Sequence, residues 1–316
     1  LQTVYSHKSF SLYRVSIGYQ HIERDARGFN RRIDLYAFGK SAHSSYPNLG
    51  VNSILDSVNF LQRAIGQGFE IRFTTLDGGD AVNKVPDHAV SQFYLTSHQF
   101  EDFKRYFRNT IRMEGREKAF RVELGGVGDA GVRFLPEALF PCVVDVVGFF
   151  KKLSTDFENQ KDPDYDPGIS TVNFGQLKQK LGRVEMHFDL RLLPDLAPDE
   201  VGKIIKDGVQ EIATKYPSLN LSVVCERVSP SLNMTFEDKL LQICKESMES
   251  AGIEPVFSKM STSTEAAKYF QAGYQAVAFG PGLSQGNSHS PNEHNVLEQL
   301  ENAVKFYENL IERVCL

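Results

Sequence analysis

Along the middle of the chain, apolar residues recur at helical spacing in two places. Val51, Ile54, Leu55, Val58 and Leu61 fall on one face of a helix, and so do Phe140, Val143, Val144, Val147 and Phe149 or Phe150. A short strand and a turn-rich loop precede each. The two stretches are related. Setting Arg32–Leu35 (RIDL) against Arg121–Leu124 (RVEL) brings Gly39 to Gly128, Pro47 to Pro136, Asp56 to Asp145, Val58 to Val147 and Phe60 to Phe149. After a length change the likeness resumes. Thr75–Gly79 (TLDGG) and Thr171–Gly175 (TVNFG) each open a strand pair, and Phe93–Leu95 then lies near Asp189–Arg191. Helices are predicted at roughly 100–111 and 198–216, leading to strands at Phe120–Leu124 and Leu219–Cys225. Each copy therefore reads βαββαβ, with Phe120–Leu124 able to serve both. Such a unit makes an antiparallel sheet with two helices on one face, the ferredoxin-like arrangement.

Beyond Val228 the pattern changes to alternating helices and short strands. Helices are predicted at Glu237–Ala251 and Glu265–Ala272, and strands at Glu254–Phe257 and Gln275–Phe279. A Ser/Thr-rich loop (Ser261–Thr264) lies between the first strand and the second helix. In the last helix Leu297, Leu300, Val304, Tyr307, Leu310 or Ile311, and Val314 form one apolar stripe. The chain thus combines an α+β part, the duplicated unit, with a layered α/β part.

Two loops carry patterns that the organisation argues against. Gly126–Gly131 (GVGDAG) matches the glycine spacing of a dinucleotide-binding turn. It lies in an antiparallel context, however, and no acidic residue ends a parallel strand about 20 residues on. Asp162–Gly168 (DPDYDPG) spaces its carboxylates like a calcium loop. Its prolines and the missing terminal Glu argue instead for a solvated connection.

Composition narrows the function classes. The 316 residues carry a formal charge of −5, with no basic nucleic-acid footprint. Hydrophobic residues make up 41% of the chain, enough for real cores, yet no apolar run approaches the ~18 residues of a membrane span. Cys142, Cys225, Cys244 and Cys315 are scattered, which reads as reduced thiols and a cytoplasmic setting.

Two motifs carry a family resemblance. Gly39–Pro47 reads GKSAHSSYP, and Ala278–His294 reads AFGPGLSQGNSHSPNEH. In this order they resemble the M20 metallopeptidases, which include acetylornithine deacetylase, succinyl-diaminopimelate desuccinylase, aminoacylase and several dipeptidases. The duplicated unit is similar to the lid of the doubled-lid dipeptidase branch. The resemblance implies three parts. Residues 1–29 would end an N-terminal catalytic segment. Residues 30–228 would be the duplicated lid, with copies at about 30–118 and 119–228, and 229–316 the C-terminal part of an α/β zinc-peptidase catalytic domain.

Site residues carry over one by one. His43 matches the lid histidine that steadies an oxyanion, Asn83 (GGDAVNKVP) a substrate-binding asparagine, and Arg191 (DLRLLP) an arginine for substrate carboxylate. Gly280 and Gly282 would offer backbone amides to the same carboxylate, and His289 would be a metal ligand. The implied metal is zinc, two ions in the family site, with cobalt or manganese as alternatives. Glu265 stands where relatives often have Asp, with its role open. The remaining histidines, among them His7 and His187, read as surface residues. Copy one holds His43 and Asn83 while copy two holds Arg191. This pattern implies a built-in pseudo-dimer, hence a monomer, acting on a small molecule or short peptide with a free carboxylate and on neither nucleic acid nor membrane.

The family's His-x-Asp motif and Glu-Glu pair have no counterpart in the chain. As written it is therefore expected to be an inactive piece of an amide hydrolase of N-acyl amino acids or short peptides. The competing expectation is a metal-free binding or assembly module.

Overall fold

The computed structural model describes residues 1–20, 28–127, 132–282, 292 and 294–315. Elements are numbered in chain order. β1 (Gln2–His7) is followed at once by β2 (Ser9–Gly18). The next unit is β3 (Phe29–Phe38), α1 (Ser53–Gly66), β4 (Arg72–Gly78), β5 (His88–Thr96), α2 (Ser97–Met113) and β6 (Phe120–Val127). Then come α3 (Leu139–Phe157), β7 (Thr171–Lys180), β8 (Arg183–Leu192), α4 (Pro198–Lys215) and β9 (Asn220–Ser229). The chain closes with β10 (Leu232–Asn233), α5 (Lys239–Ser250), β11 (Phe257–Met260), α6 (Ala266–Gln271), β12 (Ala278–Gly280) and α7 (Leu297–Cys315). None of the described helices is long and apolar enough to cross a membrane.

Eight strands form one antiparallel sheet in the order β6-β3-β5-β4-β7-β8-β2-β9. This order corrects the expected boundaries of the repeat. β6 does not open the second copy; it is the last strand of the first, paired with β3 from Arg31 to Ala37. The first strand of copy two is β2, which lies between β8 and β9. Copy one, Phe29–Val127, is therefore inserted between the first strand and first helix of copy two. The sheet also takes in Ser9–Gly18, ahead of the boundary expected at residue 30. The misreading has a physical cause. β3 and β6 are hydrogen-bonded neighbours, with Asp34 opposite Glu123 and Leu35 opposite Val122. They share one in–out alternation, and any half-buried strand carries that pattern. The helix part of the likeness stands, since α1 and α3 are the first helices of their copies. The antiparallel pairing of β6 also removes the dinucleotide reading of Gly126–Gly131, whose last residues lie outside the described ones.

The helices pack on one face of the sheet. Ile33, Leu35, Phe93 and Leu95 from copy one and Val15, Ile17, Met186, Phe188 and Leu190 from copy two belong to a single core cluster. α1 adds Ile54, Val58 and Leu61, while Val51 precedes the helix and is exposed. The boundary is set by Asn52, whose side chain accepts the N–H groups of Ile54 and Leu55 at 3.1 Å. Across the copies Phe73 stacks on Phe140 at 4.5 Å. Within copy two Phe188 lies between Phe150 at 3.7 Å and Phe174 at 4.7 Å.

The copies meet between β4 and β7, where the ladder holds only the pair Gly78 and Leu177. Gly79, at φ +73°, comes so close that a Cβ there would lie 2.1 Å from the Gly175 carbonyl oxygen. Side-chain amides stitch the gap. Asn52 donates to Phe174 O at 2.8 Å. Gln179 accepts from Leu76 N at 3.0 Å and donates to Thr74 O at 3.1 Å.

The α/β part has β1 at its centre, parallel to β11 and antiparallel to β10 and β12. β11 starts three residues later than the strand expected from Glu254, because its pairing with β1 begins at Phe257 opposite Thr3. α7 packs on α5 through Phe306, which clusters with Cys244 and Met248. Its long apolar stripe faces outward instead, with Leu297 69%, Val304 59%, Ile311 54% and Val314 57% exposed. A contiguous apolar face of this kind favours association. The chain on its own is expected to bind a hydrophobic dye and to self-associate at high concentration. Val304→Lys with Ile311→Lys should reduce both without lowering the melting temperature by more than a few degrees. Unchanged association in light scattering would show that the stripe is not the contact.

Candidate functional site

Two loops of copy one run side by side at the copy junction. The loop from β3 to α1 carries His43, and the turn from β4 to β5 carries Asn83. They pair like short strands. His43 bridges Lys84, Ser44 N donates to Asn83 O at 3.0 Å, and Val85 N donates to Ala42 O at 2.8 Å. Copy two holds the second loop in place, since the Asn173 amide donates to Lys84 O at 3.0 Å. Asn83 is exposed. His43 is half-buried, and its Nδ1 accepts the Ser45 N–H at 3.1 Å. That bond places the ring proton on Nε2, making the other nitrogen a donor.

Arg191 comes from β8 of copy two, and the structure joins it to the His43 loop. The Ser44 hydroxyl donates to Asp189 Oδ2 at 2.6 Å. Asp189 in turn receives Arg191 Nε at 2.8 Å and Nη2 at 3.0 Å. Asp189 and Ser44 are fully buried, and Arg191 is 6% exposed. The guanidinium lies 4.3 Å from the Phe10 ring centroid, Phe10 being its cross-strand partner on β2. One bidentate edge of the guanidinium is therefore committed to Asp189. Nη1 has no hydrogen-bond partner among the described residues, and Nη2, beyond its bond to Asp189, reaches only Ser44 Oγ at 3.5 Å. The Nη1–Nη2 edge is the part left to meet a ligand. His43, Asn83 and Arg191 are thus brought to one junction, two from the first copy and one from the second.

The glycine turn behaves differently. Gly280 pairs with Gln2 at the end of β12. Gly282, at φ +138°, donates its N–H to Gln299 Oε1 at 2.9 Å, so the amide expected to face a carboxylate has a partner within the chain. His289 lies outside the described residues. Glu265 precedes α6, its side chain 88% exposed and 3.6 Å from Lys268. It lines a groove of about 540 Å³ with Phe279, Phe306 and Tyr307.

Two histidines expected at the surface are not there. His7 is fully buried, accepting the Thr264 N–H on Nε2 at 3.1 Å and donating from Nδ1 to Lys8 O at 2.9 Å. Burial holds its pKa below the usual imidazole value, and Arg191 adds to that effect, so His7 is neutral near pH 7. It ties β1 to the Ser/Thr-rich loop of the α/β part. His187 is mostly covered on the open face of the sheet, where burial also lowers its pKa against the opposing pull of Glu226. No local sequence signal marks either residue, because their cover comes from distant segments.

Among the described residues no three His, Cys, Asp or Glu side chains gather as metal ligands. The described residues alone do not make a zinc-binding set.

Comparison with known proteins agrees with this architecture. The acetylornithine deacetylase of Aliivibrio fischeri (strain ATCC 700601 / ES114) is 21% identical over 245 residues, 73% of this chain and 58% of its own length. The crystal structure of aminoacylhistidine dipeptidase from Vibrio alginolyticus superposes with a TM-score of 0.69 at 14% identity, covering 99% of this chain and 63% of that one. The chain thus spans less than two thirds of the length of either relative. At that identity the structural likeness shows the fold. The model of peptidase family M20/M25/M40 matches residues 71–313. Most of the doubled sheet and nearly all of the α/β part beyond it fall within that match, and the chain belongs to peptidase family M20/M25/M40.

Proposed function

We propose that the protein hydrolyses amide bonds in N-acyl amino acids or short peptides that keep a free carboxylate, and that this chain supplies its lid and substrate grip. The observation that carries the reading is the buried connection Ser44–Asp189–Arg191, next in the chain to His43, which joins the two lid copies. In this reading the free Nη1–Nη2 edge of Arg191 meets the substrate carboxylate, a geometry suited to bidentate binding. Asn83 lies beside it as a further substrate contact. The Nε2–H of His43 stabilises the oxygen that becomes negative when the amide is attacked. Because both copies contribute, one chain holds a complete set of lid groups, and the active protein is a monomer in a cytoplasmic setting. Zinc enters the proposal through His289 alone, since the family's Glu-Glu pair has no counterpart in the chain. The exposed stripe of α7 supports a further α/β layer packed against it in the intact enzyme.

Arg191→Lys tests the reading in the active hydrolase. Lysine keeps the charge and loses the planar fork. kcat/KM should fall about 10- to 100-fold on free-acid substrates, the worth of one charged hydrogen bond. It should change far less on the same substrates with an amidated carboxyl. Equal losses on both, in a variant with an unchanged melting temperature, would make Arg191 purely structural.

A further inference from the structure

The α/β part and the eight-stranded sheet are joined covalently at two places. Lys8 alone separates β1 from β2, and Pro230 and Ser231 separate β9 from β10. Two such short crossings make a hinge about which one part can rotate against the other. A third connection spans the same gap without a covalent bond. It is the loop between α3 and β7, the Asp162–Gly168 stretch that reads from sequence as a solvated connection. The structure corrects that expectation. The loop leaves copy two and lies against β1 and β11.

Its contacts are numerous and specific. Tyr165 is 4% exposed, and its hydroxyl donates to Ser6 Oγ on β1, whose own hydrogen goes to Leu232 O at 2.9 Å. Lys259 on β11 donates to Asp162 Oδ2 at 2.9 Å and lies 3.0 Å from Asp164 Oδ2. Ser261 donates to Asp166 O at 2.6 Å. Lys8, the hinge residue itself, is fully buried and donates to Pro167 O at 2.7 Å and Ile169 O at 2.6 Å. The ammonium groups of Lys8 and Lys259 lie 5.8 and 5.3 Å from the Tyr165 ring centroid. Two of the three carboxylates that resemble a calcium loop, Asp162 and Asp164, are thus paired with Lys259. A connection needed only to link α3 to β7 has no reason to bury a tyrosine and a lysine against another part of the molecule.

We propose that the Asp162–Ile169 loop is a latch that fixes the angle between the lid and the α/β part, and that its release from Lys259 and Ser6 frees the lid to rotate about Lys8 and Pro230–Ser231. The Lys8 side chain grips the loop while its backbone forms the crossing, so rotation there and release of the loop are one event. Arg191 moves with the lid and Gly280 with the α/β part, so the latch sets their separation. It holds whether or not the proposed hydrolysis is correct.

The chain carries its own probes. Cys225 on β9 and Cys315 at the end of α7 are exposed, one on each side of the hinge, while Cys142 and Cys244 are buried. Burial pushes the latter two thiols up to about 12 and about 11, which protects them from labelling. Spin labels on Cys225 and Cys315 should give one narrow distance distribution by pulsed electron resonance. Lys259→Met with Tyr165→Phe should broaden it at least twofold or add a second distance. Asp164→Asn, whose side chain is 65% exposed and therefore safe for folding, should shift it in the same direction by less. Lys152→Met, which removes a surface ion pair on α3, should leave it as in the parent. An unchanged distribution in the cooperatively melting double variant overturns the latch, and so does equal broadening by Lys152→Met. If the double variant does not fold, Asp164→Asn decides in the same way.

Discussion

Arg191→Met is expected to lower the stability of this chain by about 3–5 kcal/mol, the usual cost of removing one partner from a buried ion pair. Asp189 would remain fully buried with only the Ser44 hydroxyl to compensate its charge. The sheet cannot turn the carboxylate outward, because its strand is paired on both sides, with Leu12 and Asn173 opposite Asp189. Removing the three polar groups together, as Ser44→Ala, Asp189→Leu and Arg191→Met, should recover at least half of the loss. An apolar replacement carries no desolvation penalty. Denaturant titration of the two variants and the parent measures both numbers. A single variant within about 1 kcal/mol of the parent would mean that water reaches the pair. The double role of Arg191 then falls away, and with it the idea that substrate grip and copy docking share one residue.

The second large effect concerns His43. In the active hydrolase His43→Ala should cut kcat about 10²- to 10³-fold, as loss of an oxyanion donor does elsewhere, with little change in KM. His43→Gln keeps an N–H donor on a side chain of similar reach and should restore part of the rate. A group that only shaped the loop would show neither the kcat selectivity nor the rescue. The structural reason to expect a donor is the Ser45 N–H on Nδ1, which leaves the proton on Nε2. If His43→Ala raises KM and leaves kcat alone, the imidazole binds the ground state and the oxyanion role is wrong.

Local pattern made much of this molecule legible. Ile54, Val58 and Leu61 lie in the core as their spacing implies, and so do Phe140, Val143, Val147 and Phe150. The turn motifs around His43 and Asn83 do come together. The failures share one origin, which is dependence on distant partners. Alternation cannot tell β3 from β6, so the insertion of copy one was invisible. The periodicity of α7 revealed an apolar face but not the direction in which it points. Lys8, His7 and Tyr165 look like ordinary surface residues until segments more than a hundred positions away close over them. The bond from Gly282 to Gln299 is likewise absent from the turn's own sequence. The motif histidine, His289, lies outside the described residues, and its role rests on resemblance.

The insertion of copy one also fixes an order of events in time. Apart from the single β4–β7 pair, every strand neighbour in copy one comes from Phe29–Val127, so that unit can close on itself as soon as it has been made. β2 has no such option. Its partners are β8 and β9, which begin at Arg183 and Asn220. During synthesis at about 5–20 residues per second, β2 waits on the order of 10 s for its first neighbour. Through that interval Tyr13, Val15 and Ile17 are apolar side chains on a strand with two open edges, beside a folded unit whose β4 edge is also unfilled. The doubled sheet therefore has high contact order in one half and low contact order in the other. The slow half belongs to copy two, whose first strand is made before copy one and can pair only after it.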